Sequence, residues 1–142
     1  MNAEPVLALE NLSLCFVGPD AVHEALRGIS LAVHAGEVVG VAGESGSGKS
    51  VTALSILRLL PPKARLEASR AEVFGRDVRT LAAEDLQNMR GAQVAIIFQE
   101  PMTALNPVLR VGAQMCDVIL RHTTKTRSEA EALSRDLLAD MK

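Results

Sequence analysis

No stretch of the 142-residue chain is apolar for anything near the ~18 residues that a helix needs to cross a bilayer. A membrane-spanning helix is therefore not expected. The first residues, Met1, Asn2, Ala3, Glu4 and Pro5, lack the basic start that opens a signal peptide, and a cytosolic location is the expectation. Cysteine is scarce. Cys15 and Cys116 stand far apart, form no C-x-x-C pair, and read as small core residues in a reducing compartment. Histidine is as sparse: His23, His34 and His122 lack metal-ligand spacing, so no zinc site is expected. Charge of one sign is missing too. The net charge of -2 gives no global footprint for a nucleic-acid partner. The densest basic stretch, between Arg58 and Arg79, is broken by Glu67, Glu72 and Asp77 and reads as solvated surface. Internal repeats, low-complexity segments and linkers are absent.

What remains is an ordinary soluble composition, 48% hydrophobic and 23% charged, long enough for one modest domain with a real core. Within it stands one specific motif, Gly43-Glu44-Ser45-Gly46-Ser47-Gly48-Lys49-Ser50, which fits the phosphate-binding pattern G-x-x-x-x-G-K-[ST]. Its flanks suit it. Residues 37–42 form a valine-rich apolar run that reads as a buried strand. Residues 49–60 carry Ala53, Leu54, Leu57 and Leu60 at helical spacing, and Pro61-Pro62 stops the helix. Strand, glycine loop and helix are what the chemistry needs. The glycines permit close backbone approach, the loop amides point at a di- or triphosphate, and the helix start adds its positive end. Lys49 is then expected to reach the β/γ-phosphate oxygens and the Ser50 hydroxyl to hold Mg²⁺. The motif names a nucleoside triphosphate and leaves the reaction open.

Along the chain, residues 6–17 mix apolar and polar side chains as a partly exposed strand does. Gly18-Pro19-Asp20 is a turn. Ile29, Leu31 and Val33 alternate with Ser30, Ala32 and His34, a second strand with one buried face. Ala35-Gly36 turns the chain toward the loop-bearing strand, so the opening reads as three successive strands. Residues 71–74 predict a short strand closed by Gly75, and residues 81–89 a short helix ended by Gly91. Residues 94–98, Val-Ala-Ile-Ile-Phe, predict a central buried strand. A loop bracketed by Pro101 and Pro107 follows. Two helices finish the chain: Val111, Met115, Val118 and Ile119 share a face of the first, and Ala130, Leu133, Leu137, Leu138 and Met141 a face of the second. Thr126 with Glu129, or Ser128 with Glu131, suits a capping box for the latter.

The three-strand opening, the GESGSGKS loop and the run IIFQEPMTALNP together resemble the nucleotide-binding subunit of ATP-binding cassette (ABC) transporters. Arg90-Gly91 and FQEPMTALNPVLRVGAQ are similar to the oligopeptide, dipeptide and nickel import branch. The resemblance covers essentially the whole chain. It implies an α/β fold of P-loop NTPase type: an antiparallel β opening, then a parallel sheet with helices, truncated within the helical subdomain. Residues 1–98 would be the core with the phosphate loop, 99–107 the Q-loop, and 108–142 the start of the helical subdomain.

Roles follow from the resemblance. ATP would be held by Gly43, Glu44, Ser45, Gly46, Ser47, Gly48, Lys49 and Ser50. Gln99 would contact Mg²⁺ and the attacking water, sharing the catalytic work with Lys49 and the metal with Ser50. Phe16 falls where the family places an aromatic that stacks on adenine, which suits a base; a core phenylalanine on a strand reads equally well there. Phe74 and Phe98 are assigned to the core. Glu100 is not expected to be a general base, because the family's catalytic carboxylate belongs to a later motif. Residues 100–107, from Glu100 to Pro107, would face the membrane-spanning permease subunits. A second ATP-binding subunit would dimerise with this one, and a substrate-binding protein would act indirectly. The assembled subunit would sit peripherally on the inner face of the cell membrane.

The sequence departs from the family pattern in two places. Ser69-Arg70-Ala71 stands where relatives usually show a glycine. The LSGGQ-like signature, the strand ending in Asp-Glu and the switch histidine do not occur among the 142 residues, so ATP hydrolysis by this chain alone is not expected. The alternative is a non-hydrolytic nucleotide-binding or partner-docking module from a split or degenerate gene. A GTPase or small kinase fits less well, since no N-K-x-D-type motif and no arginine-rich lid are found.

Overall fold

Leucines at close intervals make β1 (Leu7–Val17) the strand on which the first part of the chain is assembled. Along one edge it pairs antiparallel with β2 (Val22–Val33). Along the other it pairs antiparallel with β3 (Ala64–Glu67) at residues 13–16 and with β4 (Arg70–Val73) at residues 7–10. The short β5 (Arg76–Asp77) extends the sheet beyond β4. Ala8, Leu9, Leu12 and Leu14 of β1, Leu26 of β2 and Ala71 and Val73 of β4 are buried and form the core. Each fully buried Leu or Val side chain contributes roughly 1.5–3 kcal/mol.

Three register shifts interrupt the β1–β2 pairing, and two of them have a visible local cause. Leu9 pairs with Leu31 and Leu12 with Ile29, so β1 carries one more residue than β2 over that span. The surplus is absorbed at Asn11, whose φ of 51° lies in the left-handed region that asparagine tolerates. Its amide donates to Ser30 Oγ at 3.1 Å and its side-chain amide to Ser69 Oγ at 3.1 Å. Between Leu26 and Ile29 the surplus lies on β2 instead, and Gly28 at φ 59° donates its amide to Ser13 Oγ at 2.9 Å. The alternation of Ile29, Leu31 and Val33 with exposed neighbours is as the sequence predicts.

The computed structural model describes residues 4–141 and divides into two compact units, one ending at Leu86 and the other starting at Gln87. In the first unit α1 (Lys49–Ile56) stops well before Pro61-Pro62. The Arg58 amide donates to Ser55 O at 3.1 Å and the Leu59 amide to Leu54 O at 2.9 Å, with Arg58 at φ 49°. This paired-bond ending usually takes glycine. Here the Arg58 side chain adds bonds to the carbonyls of Val78 (3.3 Å) and Leu81 (2.9 Å), and the helix end is made by tertiary contact.

Several expectations are corrected. Among the described residues, neither 37–42 nor 94–98 forms a strand; Val38 is 97% exposed and Ile97 91%. Strands of the parallel, doubly buried kind need hydrogen-bonding neighbours on both edges and layers on both faces. A local run of valines supplies neither, whereas β1 to β5 satisfy each other through antiparallel pairing. Phe74 and Phe98 are not core residues: they are 50% and 43% exposed. Phe74 (φ 49°) and Gly75 (φ 71°) are the two left-handed residues of the tight β4–β5 turn.

α2 (Ala83–Met89) spans the division between the units. In the second unit the chain turns at Gly91 (φ 81°), where an added Cβ would lie 2.6 Å from His122 Nε2. A 3₁₀ turn (Pro101–Ala104) precedes α3 (Val111–His122) and α4 (Arg127–Ala139). Of the two candidate capping boxes, Thr126 with Glu129 is the one formed. The α3–α4 seam takes only part of the predicted faces: Ala130 is buried and Met115, Ile119 and Leu133 are half-buried. Val111, Val118, Leu137, Leu138 and Met141 are exposed, and Cys116, Ala130 and Ser134 are buried, with Cys116 Sγ 3.5 Å from Ser134 Oγ. Small residues let the two helix backbones approach, which carries the larger side chains outward.

Leu12→Ala should lower the unfolding free energy by about 2–5 kcal/mol, read as a shift of the urea midpoint at unchanged slope. A second expectation concerns acid. Asp77 accepts from Arg79 Nε at 2.9 Å, Nη2 at 2.6 Å and the Arg79 amide at 2.9 Å, while Arg79 Nη1 reaches Ala68 O. These bonds, the Arg79 side-chain bond first, hold the Asp77 carboxyl below the ordinary carboxylate range. The unfolded chain therefore binds that proton at higher pH than the folded chain. The pair's contribution is complete above the ordinary range and is lost as pH falls through the depressed folded value. Asp77→Asn should flatten the acid limb of stability against pH; an unchanged limb would show that the pair has no such role.

Candidate phosphate-binding site

The glycine loop of residues 43–50 is built from three constraints. Gly46 at φ 80° and Gly48 at φ 92° adopt left-handed backbone that residues with a Cβ avoid. Gly48 is also crowded: a Cβ there would lie 2.6 Å from Leu26 Cδ2 and 3.1 Å from Ala25 O. The loop is thus seated directly on β2. At Gly43 an added Cβ would lie 2.8 Å from Ser47 Oγ, and the Ser47 amide donates to Glu44 O at 3.2 Å, which closes the loop on itself.

Gly48 is the N-cap of α1, with no side-chain cap and no acidic residue in the first turn. The positive helix end is therefore left to meet an anion. Thr52 anchors that turn from within: its amide (2.8 Å) and its Oγ1 (2.9 Å) both donate to Gly48 O. Lys49, the first helical residue, folds back over the loop. Its Nζ donates to Gly43 O at 2.8 Å, to Glu44 O at 2.6 Å and to Ser47 Oγ at 3.3 Å. The ammonium is thereby fixed above the same backbone that carries the amides. Ser50 follows it on the helix with an exposed side chain.

The donor set suits a phosphate chain: an uncapped helix start, a pinned ammonium, left-handed glycines at positions 46 and 48, and a serine hydroxyl next after the lysine. Among the described residues no His, Cys, Asp and Glu cluster could hold a metal unaided.

The remaining candidates lie apart from the loop in the sequence. Phe16, near the end of β1, is half-buried and pairs with His23 of β2 and Ala64 of β3. It stands two residues beyond the buried Leu14 and therefore on the same face of the sheet. Gln99 is exposed and belongs to the second unit, whereas residues 43–50 belong to the first. Residues 100–107 are exposed where their side chains are described. Gln114 braces residues 106–109: it accepts from the Asn106 amide at 2.9 Å and donates to Asn106 O (3.0 Å) and Leu109 O (3.1 Å). Sequence reasoning missed Ala25, Leu26 and Thr52 as supports of the loop and Gln114 as the brace of residues 106–109. No local pattern marks the first two, because they meet the loop only across the fold; the threonine at helical spacing from Gly48 was the one readable signal.

A family model described as "ABC transporter" matches residues 26–141. The probable D,D-dipeptide transport ATP-binding protein DdpD of Escherichia coli K12 is 48% identical over 97% of this chain and 42% of its own length. The dipeptide transport ATP-binding protein DppD of Bacillus subtilis is 41% identical over 89% of this chain and 38% of its own. The oligopeptide transport ATP-binding protein OppD of Escherichia coli K12 is 38% identical over 91% and 38% respectively. The chain thus spans about two fifths of the length of these relatives. Among solved structures, the dimeric post-hydrolysis state of an ATP-binding cassette bound to ADP and Pi superposes with a TM-score of 0.76 at 20% identity, over 94% of this chain and 56% of that one. The fold is thereby that of the α/β ATPase cassettes. Among the described residues no helix is long and apolar enough to cross a membrane.

Gly46→Ala meets no atom within 4 Å and should cost only the left-handed backbone, about 1–2 kcal/mol. Gly48→Ala must also displace Leu26 and should cost more. Equal urea midpoints for the two variants would show that the loop does not rest on β2.

Proposed function

The chain belongs to the ABC transporter family, and on that premise we propose that it carries the ATP-binding face of a peptide importer's ATP-binding subunit. The single observation that carries this reading is the Lys49 ammonium pinned over the glycine loop at the uncapped start of α1. Main-chain amides of residues 43–50 and the helix end take the phosphate chain, Lys49 draws in its β/γ oxygens, and the Ser50 hydroxyl holds Mg²⁺ with Gln99. When bound, such an ion would neutralise charge on the phosphate chain. Gln99 orients the attacking water, and Phe16 offers its ring to the adenine. Residues 1–98 act as the nucleotide core, 99–107 as the Q-loop and 108–142 as the first part of a helical subdomain.

The relatives named for dipeptide and oligopeptide transport support a peptide as the transported solute. The partners follow from the same source. Permease subunits would meet residues 100–107, a second ATP-binding subunit would face the loop, and a substrate-binding protein would act through the permease. The site of work is the inner face of the cell membrane. Dimeric structural neighbours support the paired arrangement.

Lys49→Ala should abolish retention of Mg-ATP in equilibrium dialysis, at least tenfold, while the far-ultraviolet circular dichroism and the urea midpoint stay in place. Equal ATP retention by wild type and variant would overturn the reading.

A further inference from the structure

Of the three register shifts between β1 and β2, the third lies beside the phosphate loop. Leu14 pairs with Leu26 and Cys15 with Glu24, so Ala25 is the surplus residue of β2. Gly48 rests against this bulge, on the Ala25 carbonyl and the Leu26 side chain. Bulges re-aim the side chains beside them. Past this one, toward the β1–β2 turn, Phe16 pairs with His23. Residues directly opposite in an antiparallel pair share a face. Phe16 is on the face of Leu14, so His23 is there too, beside the ring. Cys15 and Glu24 take the other face, where Glu24 is held by Arg27 Nε at 2.8 Å. The loop is seated on the Leu14–Leu26 face, since Leu26 is the side chain that Gly48 meets.

A nucleotide anchored by its phosphates at Gly48 has two directions along this face. Away from the turn lie the pairs Leu12–Ile29 and Leu9–Leu31, aliphatic on both strands. Toward the turn, two residues or roughly 7 Å of strand beyond Leu14, lie Phe16 and His23. We propose that His23 is a second contact for the nucleoside end of the ligand, its imidazole meeting the polar edge of the purine whose face stacks on Phe16. This contact presupposes the nucleotide reading of residues 43–50. Stacking accepts any base, because every base has a flat face. Discrimination comes from the edge, where adenine sets a ring-nitrogen acceptor beside an amino donor. A neutral imidazole carries one donor and one acceptor, so it finds a counterpart there. Phe16, His23, Leu26 and Gly48 all belong to the first unit.

The test compares Mg-ATP with Mg-tripolyphosphate, which has the phosphates and no base, in calorimetric titrations of the 142-residue chain. His23→Leu keeps an apolar side chain on the strand and removes the hydrogen bond. His23→Gln restores a donor and an acceptor. The expected result is ATP binding about fivefold weaker in His23→Leu, the net worth of one hydrogen bond. His23→Gln should recover most of that loss, and tripolyphosphate should bind all three chains alike. Unchanged ATP affinity in His23→Leu, an equal loss in His23→Gln, or a matching loss for tripolyphosphate would each overturn the His23 contact. A wild-type chain that binds neither ligand would instead overturn the reading of the loop, and the contact with it.

Discussion

A missing Cβ holds the candidate site in place. Gly48 rests against Leu26 and the Ala25 carbonyl so closely that even an alanine would not fit without movement. That contact sets where α1 begins, and α1 sets where the amides and Lys49 point. Leu26 is in turn fixed by its antiparallel pairing with Leu14 of β1, the strand that β2, β3 and β4 all join. The chemistry of the loop is therefore supported by the best-buried part of the sheet, a hydrophobic constraint acting through one glycine.

The loop also stores its own positive charge economically. Lys49 donates to two main-chain carbonyls and to Ser47. Those bonds satisfy an ammonium and keep it above the loop, and among the described residues no carboxylate forms an ion pair with it. Thr52 completes the arrangement from inside the helix by bonding the Gly48 carbonyl twice. On the proposed reading, a bound polyphosphate would exchange carbonyl partners for phosphate oxygens at the same nitrogen.

Sheet and helices divide the apolar residues unequally. The antiparallel strands bury theirs because each finds a neighbour within a short length of chain. Residues 37–42 and 94–98 have the composition of doubly covered strands, and Val38 and Ile97 lie almost fully in solvent. Composition records what an environment requires; it does not supply the environment. In the second unit the same reasoning runs through size. Cys116, Ala130 and Ser134 take the α3–α4 seam because small side chains permit close backbones. The larger Leu137, Leu138 and Val118 are left outside, although their helical spacing is as regular as that of a buried stripe.

From the residues alone one could read the glycine loop and its lysine, the strands β1, β2 and β4, the turn at Ala35-Gly36, α3, α4 and the Thr126–Glu129 cap. Each is set by neighbours a few positions away: glycine's freedom of φ, alternation along a strand, a hydroxyl three residues from a carboxylate. The partners of those elements were not legible. That Leu26 would support Gly48, that Arg58 in a left-handed conformation would end α1, that Phe74 would stand in a turn and Phe98 outside the core, and that the apolar runs 37–42 and 94–98 would not form strands all depend on contacts between residues far apart in the chain. Short-range sterics and hydrogen bonding are written locally and can be read locally; burial is a property of what comes to lie alongside, and only the folded chain decides that.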